Sequence, residues 1–317
     1  MNNTNFVDRA TAAIWGQFIG DAAALGTHWI YDLEDLAARH PGGIEGFEAP
    51  SPDHYHAGKQ SGDQTHYGDA ALLLLESVAS LGRFDETDFG QRFVAFFTDP
   101  ACKSYKDKAT RGTLENLASR PGDFQNGADD DQLATVTRLA PVVAAHQADG
   151  DVGFFDAVRR ATLVAQQNPV ALACTAAHAE LLRGLCMGMT LPEAFEHARR
   201  SPDVSCDMAD YFEAAHTQLQ LDVVAATEFF GQSCPLRQSF PAALHAALKH
   251  AEDFRHGILQ TLRAGGDNAG RAALVGAWIG AAHGMAVIPT DWQQKLTAHD
   301  RIAAAIDQLF AASIGQP

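Results

Sequence analysis

The chain has 317 residues, 46% of them hydrophobic, which is enough to bury a sizeable core and excludes a disordered chain. Its 23 Lys and Arg stand against 39 Asp and Glu, a formal charge of −16 that excludes a protein wrapping a nucleic-acid backbone. The five cysteines (Cys102, Cys174, Cys186, Cys206, Cys234) form no CxxC pair, so neither a cysteine zinc site nor a disulfide framework is expected, and the start has no basic, cleavable leader, so the expected setting is cytoplasmic.

Helical periodicity governs the chain from its first segment, where Phe6, Ala10, Ile14, Phe18 and Ala22 recur every four residues and Gly26 is a plausible stop. Similar patterns predict helices over 69–82, 87–97, 106–119, 131–147, 153–165, 169–187, 206–218, 241–263, 271–285 and 298–312. Strand-like alternation is absent. The reading is therefore an all-α protein, a single compact multi-helix domain over 1–317. The connections richest in turn formers are 40–64 and 120–130, and the first is far longer than a routine helix connection, as loops that carry function tend to be. The stretch 272–289 is nearly free of charge and just reaches spanning length, yet its glycines and His283 read better as a helix buried in a large core than as a membrane span. Gly16 and Gly20 lie four apart, as do Gly276, Gly280 and Gly284. Missing side chains let helix backbones approach closely, so the two ends of the chain are expected to pack together.

Three segments place Asp at a glycine-rich helix end or turn: GDAAALGTHWIYD at 20–32, SGDQTHYGDA at 61–70 and GGDNAG at 265–270. Each alone reads as a helix cap that offsets the helix dipole. Asp21 departs from that rule, because inside an apolar helical pattern it needs a hydrogen-bond partner or a cation. Together the three raise the possibility of a magnesium site, since hard oxygen ligands from distant segments converge at helix N-termini. Cys174 and His178 share a helix face and read as a buried thiol and a core histidine rather than a nucleophile pair, with no activating charge nearby in sequence.

These segments, taken in order from about residue 10 to residue 285, resemble the ADP-ribosylglycohydrolase superfamily, and DAAALGTHWIYD and GDQTHYGDAALLLLES resemble its J-crystallin and selenoprotein J branch. The resemblance implies an all-α globule whose helix ends surround a magnesium-dependent cleft for ADP-ribose, free or attached to a protein. Active members carry Thr-Asp-Asp-Thr before the apolar helix. Here either Thr65-His66-Tyr67-Gly68 or Gly62-Asp63-Gln64-Thr65 stands in its place, and one sequence leaves both registers open. The family's Gly-Gly-Asp-Thr-Asp-Thr is Gly265-Gly266-Asp267-Asn268-Ala269-Gly270, and the family's Glu after GDA is missing, leaving His28 or Asp32 to substitute. Carboxylates are thus thin, and at most one magnesium ion is expected.

From this likeness the expected metal ligands are Asp267, Asp63 and Asp21. The expected catalytic groups are Asp63 or Asp69 as the base that activates water, with His66 as a proton carrier, and Asn268, His28 and Asp131 are expected at the substrate. For His28 and His66 an ordinary hydrogen-bonded core or surface histidine is the competing reading. His54, Tyr55 and His56 in the long loop read as a lid, a stacking surface or a plain exposed loop. The expected reaction cleaves a ribosyl glycosidic bond through an oxocarbenium-like transition state. A related glycohydrolase that uses histidine in place of a second metal remains open, and so does an inactive J-crystallin-like binding or structural protein. Neither nucleic acid nor membrane is an expected partner.

Overall fold

The computed structural model describes residues 3–314. α1 (Asn3–Ala24) is followed by α2 (Leu33–Arg39), which Asp32 caps by accepting the Glu34 and Asp35 amides. After the long connection, α3 (His66–Leu81) starts at Thr65, whose hydroxyl accepts the Tyr67 N–H, and stops at Gly82 in the left-handed conformation. Asp85 and Asp107 cap α4 (Glu86–Thr98) and α5 (Lys108–Ser119). Next come α6 (Ala140–His146), α7 (Gly150–Leu163), α8 (Pro169–Cys186), α9 (Leu191–Arg200), α10 (Met208–Thr217) and α11 (Val223–Phe230). The chain closes with α12 (Leu236–Lys249), α13 (Phe254–Arg263), α14 (Asn268–His283), α15 (Thr290–Lys295) and α16 (His299–Ile314). No strand occurs among the described residues, which agrees with the all-α reading.

Two expected helices are broken. The pattern over 131–147 yields only a short 3₁₀ turn at Val136–Arg138 and α6, because Pro141 in the first turn of α6 has no N–H to donate to a preceding turn. The pattern over 241–263 divides at His250–Asp253, where Asp253 accepts the His256 N–H and opens α13.

The core is organised around α1 and α14, which run antiparallel in backbone contact. Gly16 faces Gly276, Gly20 faces Ala272 and Gly280 faces Ala12, and a Cβ on Gly16 or Gly20 would stand 2.1 Å from the opposite carbonyl oxygen. The glycine spacing therefore does what it implies. Every residue of α14 from Asn268 to Ala282 is buried, and no described helix is long and apolar enough to cross a membrane. This crossing fixes the site, because the C-terminal end of α1 meets the N-terminal end of α14.

Cys174 and His178 are buried side by side in α8, as expected of core residues. Trp278 Nε1 donates to His178 Nδ1 at 3.0 Å, and burial holds His178 down at about 3. Unfolding returns it to an ordinary 6.5, so its contribution is complete above that pH and is lost as pH falls toward 3. His178→Asn, which keeps an acceptor for Trp278, is expected to shrink the loss of unfolding free energy between about pH 6.5 and 4 by about 3 kcal/mol. Urea titrations at both pH values check this; an unchanged loss contradicts it.

Candidate functional site

A pair of backbone hydrogen bonds ties the end of α1 to the turn before α14: Trp29 N–H to Gly266 O and Gly266 N–H to Ile30 O, both 2.7 Å. Gly265 and Gly266 have φ of +60° and +61°, and a Cβ on Gly266 would lie 2.3 Å from Gln232 O, so the turn requires both glycines. Trp29 also has φ +61°, an uncommon conformation for a bulky residue. The turn sets its ring against His28, with centroids 4.3 Å apart.

The expected carboxylates do not gather into one hollow. Asp21 is buried, and both its oxygens are occupied by Thr65, from the backbone N–H at 2.7 Å and from the hydroxyl at 2.5 Å. It secures the start of α3, and burial raises its carboxyl to about 6 against the pull of Thr65. Asp63 accepts the Gln60 N–H and the Thr297 hydroxyl, which closes its own loop onto the C-terminal segment. Asp69 pairs with Lys59 at 2.6 Å. Asp63 and Asp69 line a separate cleft of about 630 Å³ beside Lys59, Phe96, Lys103 and Arg301. Asp267 is fully buried at the other side of α3's first turn, with Oδ2 accepting from the Tyr67 hydroxyl at 2.8 Å. Asp21, Asp63 and Asp267 are thus each held by a different neighbour. Asp32 is a helix cap, and Asp131 faces Arg237 at 3.6 Å.

Histidines gather instead. His28 follows α1, His56 lies in the long loop and His66 opens α3; all three are buried, and each offers a ligand atom within 4.8 Å of the others. Among the described residues this is the only such group of His, Cys, Asp and Glu. Burial, then the neighbouring imidazoles, holds His28 far below its ordinary value and His56 at about 2, so both rings are neutral. Asn268 is buried beneath them, donating to Thr27 Oγ1 at 2.9 Å and to Leu262 O at 3.0 Å, a tie between segments with Oδ1 left free.

Above the histidines opens a pocket of about 240 Å³ lined by Trp29, Tyr31, Tyr55, Tyr105, Asp107, Lys108, Arg111, Gln132 and Cys234. Tyr105 and Tyr55 stand edge-on to Trp29 at 4.9 and 5.2 Å. Asp107 is 5% exposed: Oδ1 accepts the Thr110 N–H at 2.7 Å, and Oδ2 lies 3.6 Å from His66 Nε2. Burial pushes this carboxyl up, but His66 and Thr110 together outweigh it and hold it at about 2. Asp107 is thus the ionised carboxylate of the pocket. Beside it Asp130 is raised by burial, and Arg138 and Arg271 are lowered to about 10 by the same cause. Arg271 donates to Gln232 O and Gly265 O, bracing the glycine turn.

Sequence reasoning missed Trp29, Tyr67, Tyr105, Asp107 and Arg271. Asp107 had a signal, an Asp opening the helix at Lys108, but it is the signal of any cap.

The ADP-ribosylglycohydrolase profile matches residues 2–317, and the chain belongs to that family. It is similar to crystallin J1A of Tripedalia cystophora, 25% identical over 98% of both chains. It is also similar to an ADP-ribosylarginine hydrolase of Pseudomonas putida, 22% identical over 96% of this chain and 78% of that one. Among solved structures, an ADP-ribosylglycohydrolase-related protein complex shares the fold with a TM-score of 0.70 at 23% identity, covering 98% of this chain and 99% of the other.

The magnesium that the family implies does not fit these residues. It demands six oxygen donors near ideal octahedral geometry, whereas the gathered donors are imidazole nitrogens and Ala269 and Gly270 bring none.

Proposed function

We propose that the chain hydrolyses an ADP-ribosyl, or closely related ribosyl, glycosidic bond in the pocket above the histidines. The observation that carries this is Asp107, a buried carboxylate in the wall of an aromatic pocket where the segment after α1 and the long loop meet the start of α5. A volume of about 240 Å³ suits a ribosyl group rather than a whole dinucleotide. The remainder of the ligand lies across the exposed rings of Tyr31 and Tyr55, with the exposed cations Lys108 and Arg111 placed for the diphosphate.

Cleavage at the ribose C1 develops positive charge on the ring and needs an activated water. Asp107 supports the first need with its charge, placed to face the developing oxocarbenium, and orients the attacking water by accepting a hydrogen bond from it. His66 acts through Asp107, keeping it ionised and oriented. Asp69 and Asp63, in the other cleft, take no part in this scheme.

The likeness to crystallin J1A over nearly the whole chain, with Ala269 and Gly270 in the first turn of α14, favours a second reading, a ligand-binding protein without turnover. Incubation with an ADP-ribosylated arginine peptide and with free ADP-ribosyl compounds, followed by chromatography of released ADP-ribose, separates the two. Release supports hydrolysis. Binding of ADP-ribose without release from any of these substrates supports the second reading.

A further inference from the structure

His28, His56 and His66 come from three separate segments, and five of their six ring nitrogens have no hydrogen-bond partner within the protein: His28 Nε2 and both nitrogens of His56 and of His66. A buried polar atom left unpartnered costs about 1–3 kcal/mol. Stacking alone does not account for them. The rings are 5.5 to 6.0 Å apart at 20° to 37°, contacts that phenylalanine makes without that cost.

We propose that these three imidazoles form a binding site for a divalent transition ion of the zinc class, in place of a magnesium centre. Neutral imidazole is the commonest ligand of such ions. Zinc–nitrogen bonds of about 2.0–2.1 Å place tetrahedral ligand atoms about 3.3 Å from one another. The ligand atoms already lie within 4.8 Å, so binding draws them together by about 1.5 Å at most. His56, on a loop and without a partner on either nitrogen, is placed to make that movement.

The surroundings fit the same role. Ligating histidines commonly direct their far nitrogen at a carboxylate, which fixes the tautomer and raises ligand basicity. Asp267 Oδ1, otherwise unpartnered, is 3.7 Å from His28 Nδ1, and Asp107 Oδ2 is 3.6 Å from His66 Nε2. That leaves His28 Nε2 and His66 Nδ1 for the ion. The Ala269 N–H approaches His28 Nδ1 at 3.4 Å, a long contact given up when the Nδ1 proton turns to Asp267. Three protein ligands leave a coordination position open, as in catalytic rather than structural zinc sites. The site stands on the histidine geometry and holds whether or not the chain cleaves a glycosidic bond.

The full chain, stripped with a chelator, is dialysed against zinc, cobalt(II) or magnesium, and bound metal, visible absorption and melting temperature are measured. The expected result is one tightly bound zinc per chain, visible cobalt bands of a low-coordinate site, a raised melting temperature with either ion and no response to magnesium. His56→Ala is expected to weaken zinc binding by more than about 100-fold, and Asp267→Asn by about 10–100-fold. His66→Asn serves as a second ligand variant, and circular dichroism of the metal-free variants verifies folding. His256→Ala, outside the cluster, is expected to bind as the parent does, which separates the site from surface histidines. No retained zinc or cobalt in the parent, equal affinity in the folded ligand variants, or stabilisation by magnesium alone overturns the proposal.

Discussion

Asp107→Asn is expected to lower ribosyl hydrolysis about 10³-fold while leaving the melting temperature within a few degrees of the parent. Asparagine keeps the cap, because its side-chain oxygen still accepts the Thr110 N–H that Asp107 accepts at 2.7 Å. It removes the charge that faces the pocket and would stabilise the developing oxocarbenium. The loss should fall on kcat, since the interaction is made in the transition state and not in substrate binding. Asp69→Asn provides the contrast. Its carboxylate pairs with Lys59 at 2.6 Å in the other cleft, so its turnover should stay within about twofold of the parent. Steady-state rates of the two variants on one ADP-ribosylated substrate check the assignment, and a large loss at Asp69 with retention at Asp107 reverses it.

Gly16→Ala is expected to cost the fold a large share of its stability. Its Cβ would stand 2.1 Å from Gly276 O, 2.5 Å from Gly276 C and 3.1 Å from Ala277 N, all backbone atoms of α14. No rotamer change relieves a clash with backbone, so α1 and α14 must separate. That separation also opens the contacts at Gly20 and Gly280, where the same close approach recurs. Overpacking of a core costs about 1–3 kcal/mol and more where nothing yields, so about 3 kcal/mol or more is expected, a fall in melting temperature of about 5–10 °C. Gly42→Ala, where an added Cβ meets nothing within 4 Å, is expected to change the melting temperature by less than about 2 °C. A melting curve for each variant decides the matter. Equal melting of Gly16→Ala and the parent contradicts the backbone contact.

Much of the fold was legible because it is written locally. Four-residue apolar spacing announces a helix, and matched glycine spacings at the two ends announce a close crossing. The helices that escaped were short ones, α2, α9, α11 and α15, whose apolar faces are too brief to establish a period. Even there α9 carried a signal, a Thr190–Glu193 capping box with a proline in its first turn.

The site was legible only in part. The sequence directed attention to the end of α1, the start of α3 and the turn before α14, and the structure brings these segments together, since glycine-rich helix ends are where backbones converge. It did not tell which side chains converge there. Asp21, Asp63 and Asp69 each satisfy a neighbour, Thr65, Thr297 or Lys59, and that neighbour is an accident of packing invisible in the one-dimensional pattern. Asp107 looks like any other cap until α5 is seen to point its first turn at His66. His56 sits in a loop whose path no periodicity fixes, so its meeting with His28 and His66 follows from tertiary structure alone.

Under the proposed reaction the sugar sits above the histidines, in the pocket of Trp29, Tyr105 and Asp107, and not in the larger cleft of Lys59 and Asp69. A crystal of the protein soaked with ADP-ribose tests it most directly. The expected density shows the terminal ribose against Asp107 between Trp29 and Tyr105, with the diphosphate toward Lys108 and Arg111. A ribose bound instead beside Lys59 and Asp69, with the aromatic pocket holding only solvent, would contradict it.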